Sequence, residues 1–206
     1  MTFKRSITIV VAVFALVVSA VSAAAANPTE RVDIVGQGPG GDIVAENGAE
    51  IRRGIGGITA KVSLPTPEPG SYAYPQGATA SGVEGHPETF SLWVFIFFNP
   101  EACDGACDGA DLQTNPDVIA GAFNGGGHVV GGPNLTISGR VNQQSTLFGG
   151  PNAETISQAL DLGYTIDDAE VHLAVAPHGA LDPELLPEAI TTPVGDPSYW
   201  WIALYT

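Results

Sequence analysis

Positive charge is what this chain has least of: 7 Lys and Arg stand against 22 Asp and Glu in 206 residues. After Lys61 the only cation is Arg140. Such a chain repels nucleic acid phosphates and anionic lipid headgroups, so no nucleic acid partner is expected. A second long apolar run is also missing. Beyond residue 26 nothing matches the apolar stretch Ile7–Ala20, which leaves no transmembrane segment to expect in the remainder. G-x-S-x-G is absent, and no serine sits in a recognisable nucleophile elbow. Neither H-E-x-x-H nor H-x-H occurs, so a metal centre would need distant strands to converge. Carboxylates are too plentiful for any one pair to stand out as acid and base.

The first 26 residues carry an address. Lys4 and Arg5 precede the apolar run, Ala24-Ala25-Ala26 offers a small-residue cleavage pattern, and Pro28 follows at once. That is the order of a secretory signal peptide. The expected mature protein begins near Asn27 and is soluble, either secreted or held in the cell envelope or periplasm. The signal region takes two cations and no acids, so residues 27–206 carry 5 − 22 = −17. A charge of that size keeps a protein in solution and can attract cations.

All 26 Gly and 16 Pro fall in those 180 residues, which fit one acidic domain spanning 27–206. The apolar residues are gathered into dense β-type runs between turn residues. A mainly β fold is expected, a β-sandwich or partly closed antiparallel barrel. Short strands are predicted at Arg31–Val35, Asp42–Glu46 and Gly54–Leu64, the last anchored by Ile55, Ile58 and Val62. Gly36–Gly41 satisfies G-x-G-x-x-G, but Asp42-Ile43-Val44 reads as extended and opens no helix, so this is a turn and not a dinucleotide site. The Pro-rich segment from Pro65 to about Pro87 is predicted as a surface loop. Phe90–Phe98 (FSLWVFIFF) is nearly continuous in apolar character and reads as a central strand covered on both faces.

Cys103–Pro116 reads as a loop, followed by strands at Asp117–Phe123, His128–Val130, Leu135–Val141, Glu170–Ala176 and Tyr199–Tyr205. Gly-Gly-Pro-Asn occurs at Gly131–Asn134 and again at Gly149–Asn152, and both are read as turns. One short helix is predicted near 153–162, capped by Asn152 and closed by Gly163.

Cys103 and Cys107 are the only cysteines. In an exported protein they are expected to form a disulfide closing a small ring, worth roughly 2 kcal/mol and enough to pin a loop. A redox role is the sharper alternative, although the spacing is C-x3-C and no cation adjoins it. Asp104, Asp108 and Asp111 surround the pair on a Gly-rich segment and are candidate calcium ligands, without the order of an EF-hand loop. His128, His172 and His178 are candidate ligands for a transition metal, and His86 is the fourth histidine. No cofactor is expected beyond that calcium candidate.

Glu88–Cys107 (ETFSLWVFIFFNPEACDGAC), Ala169–Gly179 (AEVHLAVAPHG) and the closing Tyr199-Trp200-Trp201 resemble secreted bacterial proteins of unknown function. A more distant likeness is to chordin-type CHRD domains. It implies an extracellular β-sandwich with a histidine-bearing strand before a Gly turn. The paired histidines of that pattern are replaced here by His172 and His178, six residues apart. The expected function is a binding or structural role with a protein or cell-envelope partner. The alternative is a metal-dependent extracellular enzyme using His172 and His178 with acidic residues.

Overall fold

A computed structural model describes residues 27–38, 40–74, 87–149, 153–192 and 196–206. Residues 1–26, where a signal peptide is expected, His86, the proposed Asn152 cap and the middle of the Pro-rich crossing lie outside the described residues. Nine strands form one sheet: β1 (Glu30–Val35), β2 (Ile43–Gly54), β3 (Gly57–Pro65), β4 (Glu88–Phe97), β5 (Ala120–Val129), β6 (Asn134–Asn142), β7 (Leu147–Phe148), β8 (Glu170–Ala180) and β9 (Trp201–Tyr205). Their order is β6-β3-β2-β1-β9-β8-β4-β5-β7, and every neighbouring pair is antiparallel. The sheet curls into a half-barrel, as expected of a partly closed antiparallel fold.

Curling brings β5 and β6 together, although they share no ladder. Gly125 is the unpaired residue of a bulge in β5, because Trp93 pairs with Asn124 and Leu92 with Gly126. Its carbonyl lies against Gly139 of β6 so closely that a Cβ there would sit 1.4 Å from the oxygen. Only glycine permits that approach. The run Gly125-Gly126-Gly127 therefore does not divide two strands, as the sequence reading had it. It lies inside the single strand β5, at the point where the curled sheet meets itself.

The concave side is filled by Ile34, Ile51, Ile58, Val62, Leu64, Leu135, Ile137, Val141 and the inward row of β4, namely Phe90, Leu92, Val94 and Ile96. β3 alternates buried Ile58, Ala60, Val62 and Leu64 with exposed Thr59 and Lys61, the mark of a strand wet on one face. β4 does not alternate. Its outward row is covered too, by residues 98–119 over Phe97 and by the Tyr199–Trp200 segment over Trp93 and Phe95. FSLWVFIFF is apolar throughout for that reason.

Several local expectations change. Ile55 anchors nothing: it is 98% exposed at the tip of the β2–β3 hairpin. Cys103–Pro116 is not all loop, since it contains α1 (Gly109–Thr114). The helix predicted over 153–162 is the shorter α2 (Ile156–Asp161), capped by Thr155, whose hydroxyl accepts from Gln158 N while the Gln158 side chain accepts from Thr155 N. A third short helix, α3 (Glu188–Thr191), packs against β4 and β5. Finally, β8 continues past Pro177. Thr89 pairs with Gly179 and Phe90 with Pro177, so a bulge at His178 absorbs the proline.

Phe90 is fully buried, whereas Phe95 is only half-buried and stacks on Trp200 with centroids 5.6 Å apart. Phe90→Ala should therefore lower stability by about 3–5 kcal/mol, and Phe95→Ala by clearly less. Urea titration of both variants tests this, and equal losses would contradict the assigned faces. Gly139→Ala should cost about 3 kcal/mol, the upper end for overpacking. Gly132→Ala is the control, because no atom lies within 4 Å of its Cβ position. A stable Gly139→Ala variant would show that the closure is not tight.

Candidate functional site

The chemistry-bearing side chains gather on the outer face of β4 and β8. Successive outward residues on β4 are Ser91, Trp93, Phe95 and Phe97, opposite Ala176, Ala174, His172 and Glu170 of β8. The period of two places His172 and Glu170 side by side, and His172 Nε2 lies 2.6 Å from Glu170 Oε1. The same carboxylate oxygen accepts from Cys107 N at 3.0 Å. The His172 ring packs on Phe97, with centroids 5.0 Å apart. Glu170 thus ties the segment above it to the sheet beneath.

That segment is built by local polar contacts. Cys103 and Cys107 form a disulfide, with Cα atoms 5.3 Å apart. Asp108 caps α1, accepting from Ala110 N and Asp111 N, while Asp111 accepts in return from Asp108 N. Asn99 holds the two ends of the segment together: its side-chain amide donates to Asp117 O, and its oxygen accepts from Ile119 N. Leu112, Val118 and Cys107 then seat on Phe97, Ala120 and Ala122. Of the three calcium candidates, Asp104 is exposed in the disulfide ring, and Asp108 and Asp111 are engaged in the helix cap.

The three candidate histidines do not meet. His178 is 2% exposed, and its Nε2 lies 2.8 Å from Ser91 Oγ, which also accepts from Trp93 Nε1 at 2.9 Å. Six residues of strand separate it from His172, roughly 20 Å at the usual rise. His128 is exposed toward the end of β5, in register with Phe90. Sequence reasoning passed over Ser91 and Glu170. Ser91 was legible as the one polar side chain within the run FSLWVFIFF, and Glu170 as the residue two before His172.

Two open clefts border the sheet. The larger, about 480 Å³, is lined by Asn27, Glu30, Arg53, Asp167 and Asp168, among others. Arg53 is largely buried and already committed, donating to Glu30, Ile166 O and Ala169 O. The smaller, about 390 Å³, includes Gln37, Thr66, Tyr72 and Trp201. Gln37 is likewise engaged, bonding to Ala73 and to Tyr199 O, and the Tyr72 hydroxyl donates to Glu88. Burial and the Glu88 carboxylate push the Tyr72 phenol far above its ordinary value. No protein-family model, curated protein or solved structure matches the chain.

Burial holds the His172 imidazole below its ordinary pKa of 6.5, outweighing the opposite pull of the Glu170 hydrogen bond and of the Glu170 and Asp108 charges. The neutral ring must then carry its proton on Nε2 to donate to Glu170. Because the folded value is depressed, the unfolded chain takes up a proton first as pH falls through about 6.5, and stability drops until the folded ring protonates as well. His172→Gln should shrink the loss of urea midpoint between about pH 7.5 and 5.5. An undiminished loss would place the responsible group elsewhere.

Proposed function

We propose that this is an exported acidic β domain with a binding or structural role, acting in the cell envelope or outside the cell on a protein or envelope partner. The observation that carries this reading is how the polar side chains of the outer face are used. Glu170 bonds the surface segment to the sheet and pairs with His172, while Asp108 and Asp111 cap α1 within that segment and Asn99 joins its two ends. Ser91 and His178 are paired beneath the other end of the same face. Side chains spent in this way build a rigid surface. The basic, apolar and small-residue order of the first 26 residues supports export, and the charge of −17 over residues 27–206 disfavours nucleic acid as the partner. No cofactor is required.

The competing reading, a metal-dependent enzyme, and the calcium candidates Asp104, Asp108 and Asp111 are tested together. Elemental analysis of the purified protein is expected to find no stoichiometric metal. Its melting temperature should rise as sodium chloride approaches about 0.15 M, where the Debye length is near 8 Å, and then flatten. Calcium at constant ionic strength should add nothing. A saturable calcium-specific rise, lost in Asp104→Asn, would overturn the cofactor-free reading. A bound transition metal lost in His172→Ala would favour the enzyme.

A further inference from the structure

Among the described residues one group of three side chains can converge on a metal ion, and it includes the disulfide. Cys103 Sγ, Cys107 Sγ and a carboxylate oxygen of Asp111 lie within 4.8 Å of one another. In the oxidised protein the two sulfurs are bonded to each other and unavailable. Reduction changes what this cluster can do.

The surroundings suit the reduced state as a ligand set. Two thiolates on tetrahedral zinc, with bonds near 2.3 Å, stand about 3.8 Å apart. The Cα separation of 5.3 Å leaves room for that spacing through side-chain rotation alone. The Asp111 carboxylate is already oriented, Oδ2 by Asp108 N at 3.0 Å and Oδ1 by the Asn115 side-chain amide at 3.2 Å. Each oxygen keeps a second lone pair, so these donors are the outer-shell supports a metal carboxylate ordinarily has. Cys107 is 3% exposed among Phe97, Leu112 and Val118, a dry setting that strengthens a thiolate–metal bond. Cys103 is only half-buried and within reach of a reductant.

We propose that the Cys103–Cys107 bridge is a redox-gated metal site. Oxidised, it staples the surface segment; reduced, Cys103, Cys107 and Asp111 take a thiophilic divalent cation of the zinc class, with water in the fourth position. The reductant is a dithiol. One of its thiolates attacks the Cys103 sulfur, breaks the Cys103–Cys107 bond and releases the Cys107 thiolate; its second thiolate then attacks the donor sulfur of the mixed disulfide, closes the donor's own disulfide and releases the Cys103 thiolate. Two protein thiols and an oxidised donor result. The cation replaces the two thiol protons, which pass to water. Sulfur ligation selects against calcium, which requires six to eight oxygens, so this site differs in its ligand set from the carboxylate site tested above, although the two share Asp111.

Cobalt(II) is the probe, because its thiolate charge-transfer absorption reports sulfur ligation directly. The purified protein is reduced with a phosphine, freed of it without oxygen, and titrated with Co2+. The reduced protein should bind a single Co2+ with that absorption, zinc should displace it, and the oxidised protein should show none. Cys103→Ser should abolish the band. Asp111→Asn should weaken binding at least about tenfold, the scale set by loss of even an outer-shell partner. Asp108→Asn keeps a side-chain oxygen that can cap the helix, removes no ligand, and should leave affinity nearly unchanged. Circular dichroism should show the sheet intact in every sample, since the closed ring is small. Absence of the cobalt–thiolate band in reduced, folded protein would overturn the proposal, as would an Asp111→Asn variant of unchanged affinity.

Discussion

The contact between Gly125 and Gly139 is the constraint on which the architecture rests. A nine-stranded antiparallel sheet has two edges and two faces to protect, and curling disposes of most of both. The concave face becomes a closed interior once β5 meets β6, so the inward rows of β3, β4, β6 and β8 can all be large and apolar. Backbone-to-backbone approach at that seam leaves no room for a Cβ. The bulge at Gly125 makes it possible, because a residue without a ladder partner in β4 is free to lie against the crossing strand.

A curled sheet still has an outer face, and this one is treated differently along its width. β2 and β3 leave theirs to water, with the Arg31–Glu50 pair along the β1–β2 margin. β4 and β8 do not. Their outer rows hold Trp93, Phe97 and two alanines, and two irregular segments lie over them. A loop that covers a sheet must satisfy its own backbone. Here Asn99, Asn115, Asp108 and Asp111 do so at one end, and Gln37 at the other. Much of the acidic and amide content of these stretches serves this purpose.

The parts of the fold readable from the chain were those set by neighbours in sequence. β1, β4, β6 and β9 appear close to where periodicity put them, and the doubly covered character of β4 follows from FSLWVFIFF itself. The capping boxes were equally local, yet easily misread. Thr155-x-x-Gln158 and Asp108-x-x-Asp111 open helices, whereas in the sequence Asn152 reads as the cap and the aspartates read as calcium ligands. Side-chain type alone does not separate a cap from a ligand, since both use a carboxylate or hydroxyl near free backbone amides. His172 and Glu170 belong between these cases: their spacing of two predicts a shared face, but only the covering segment makes that face dry.

The sequence by itself determined the mainly β class, the excess of acidic residues, the central strand and the pairing of the only two cysteines, because each depends on composition or on short-range pattern. Tertiary structure decided the closure at Gly125 and Gly139, the passage of β8 through Pro177, and the separation of His172 from His178. It also decided which acids are committed to structure. Those outcomes depend on which strands become neighbours, and strand order joins residues far apart in the chain. β1 pairs with β9, and β8 with β4, across spans that no local pattern encodes. Register adds a second non-local choice, since a single bulge redirects a side chain such as His178 onto Ser91.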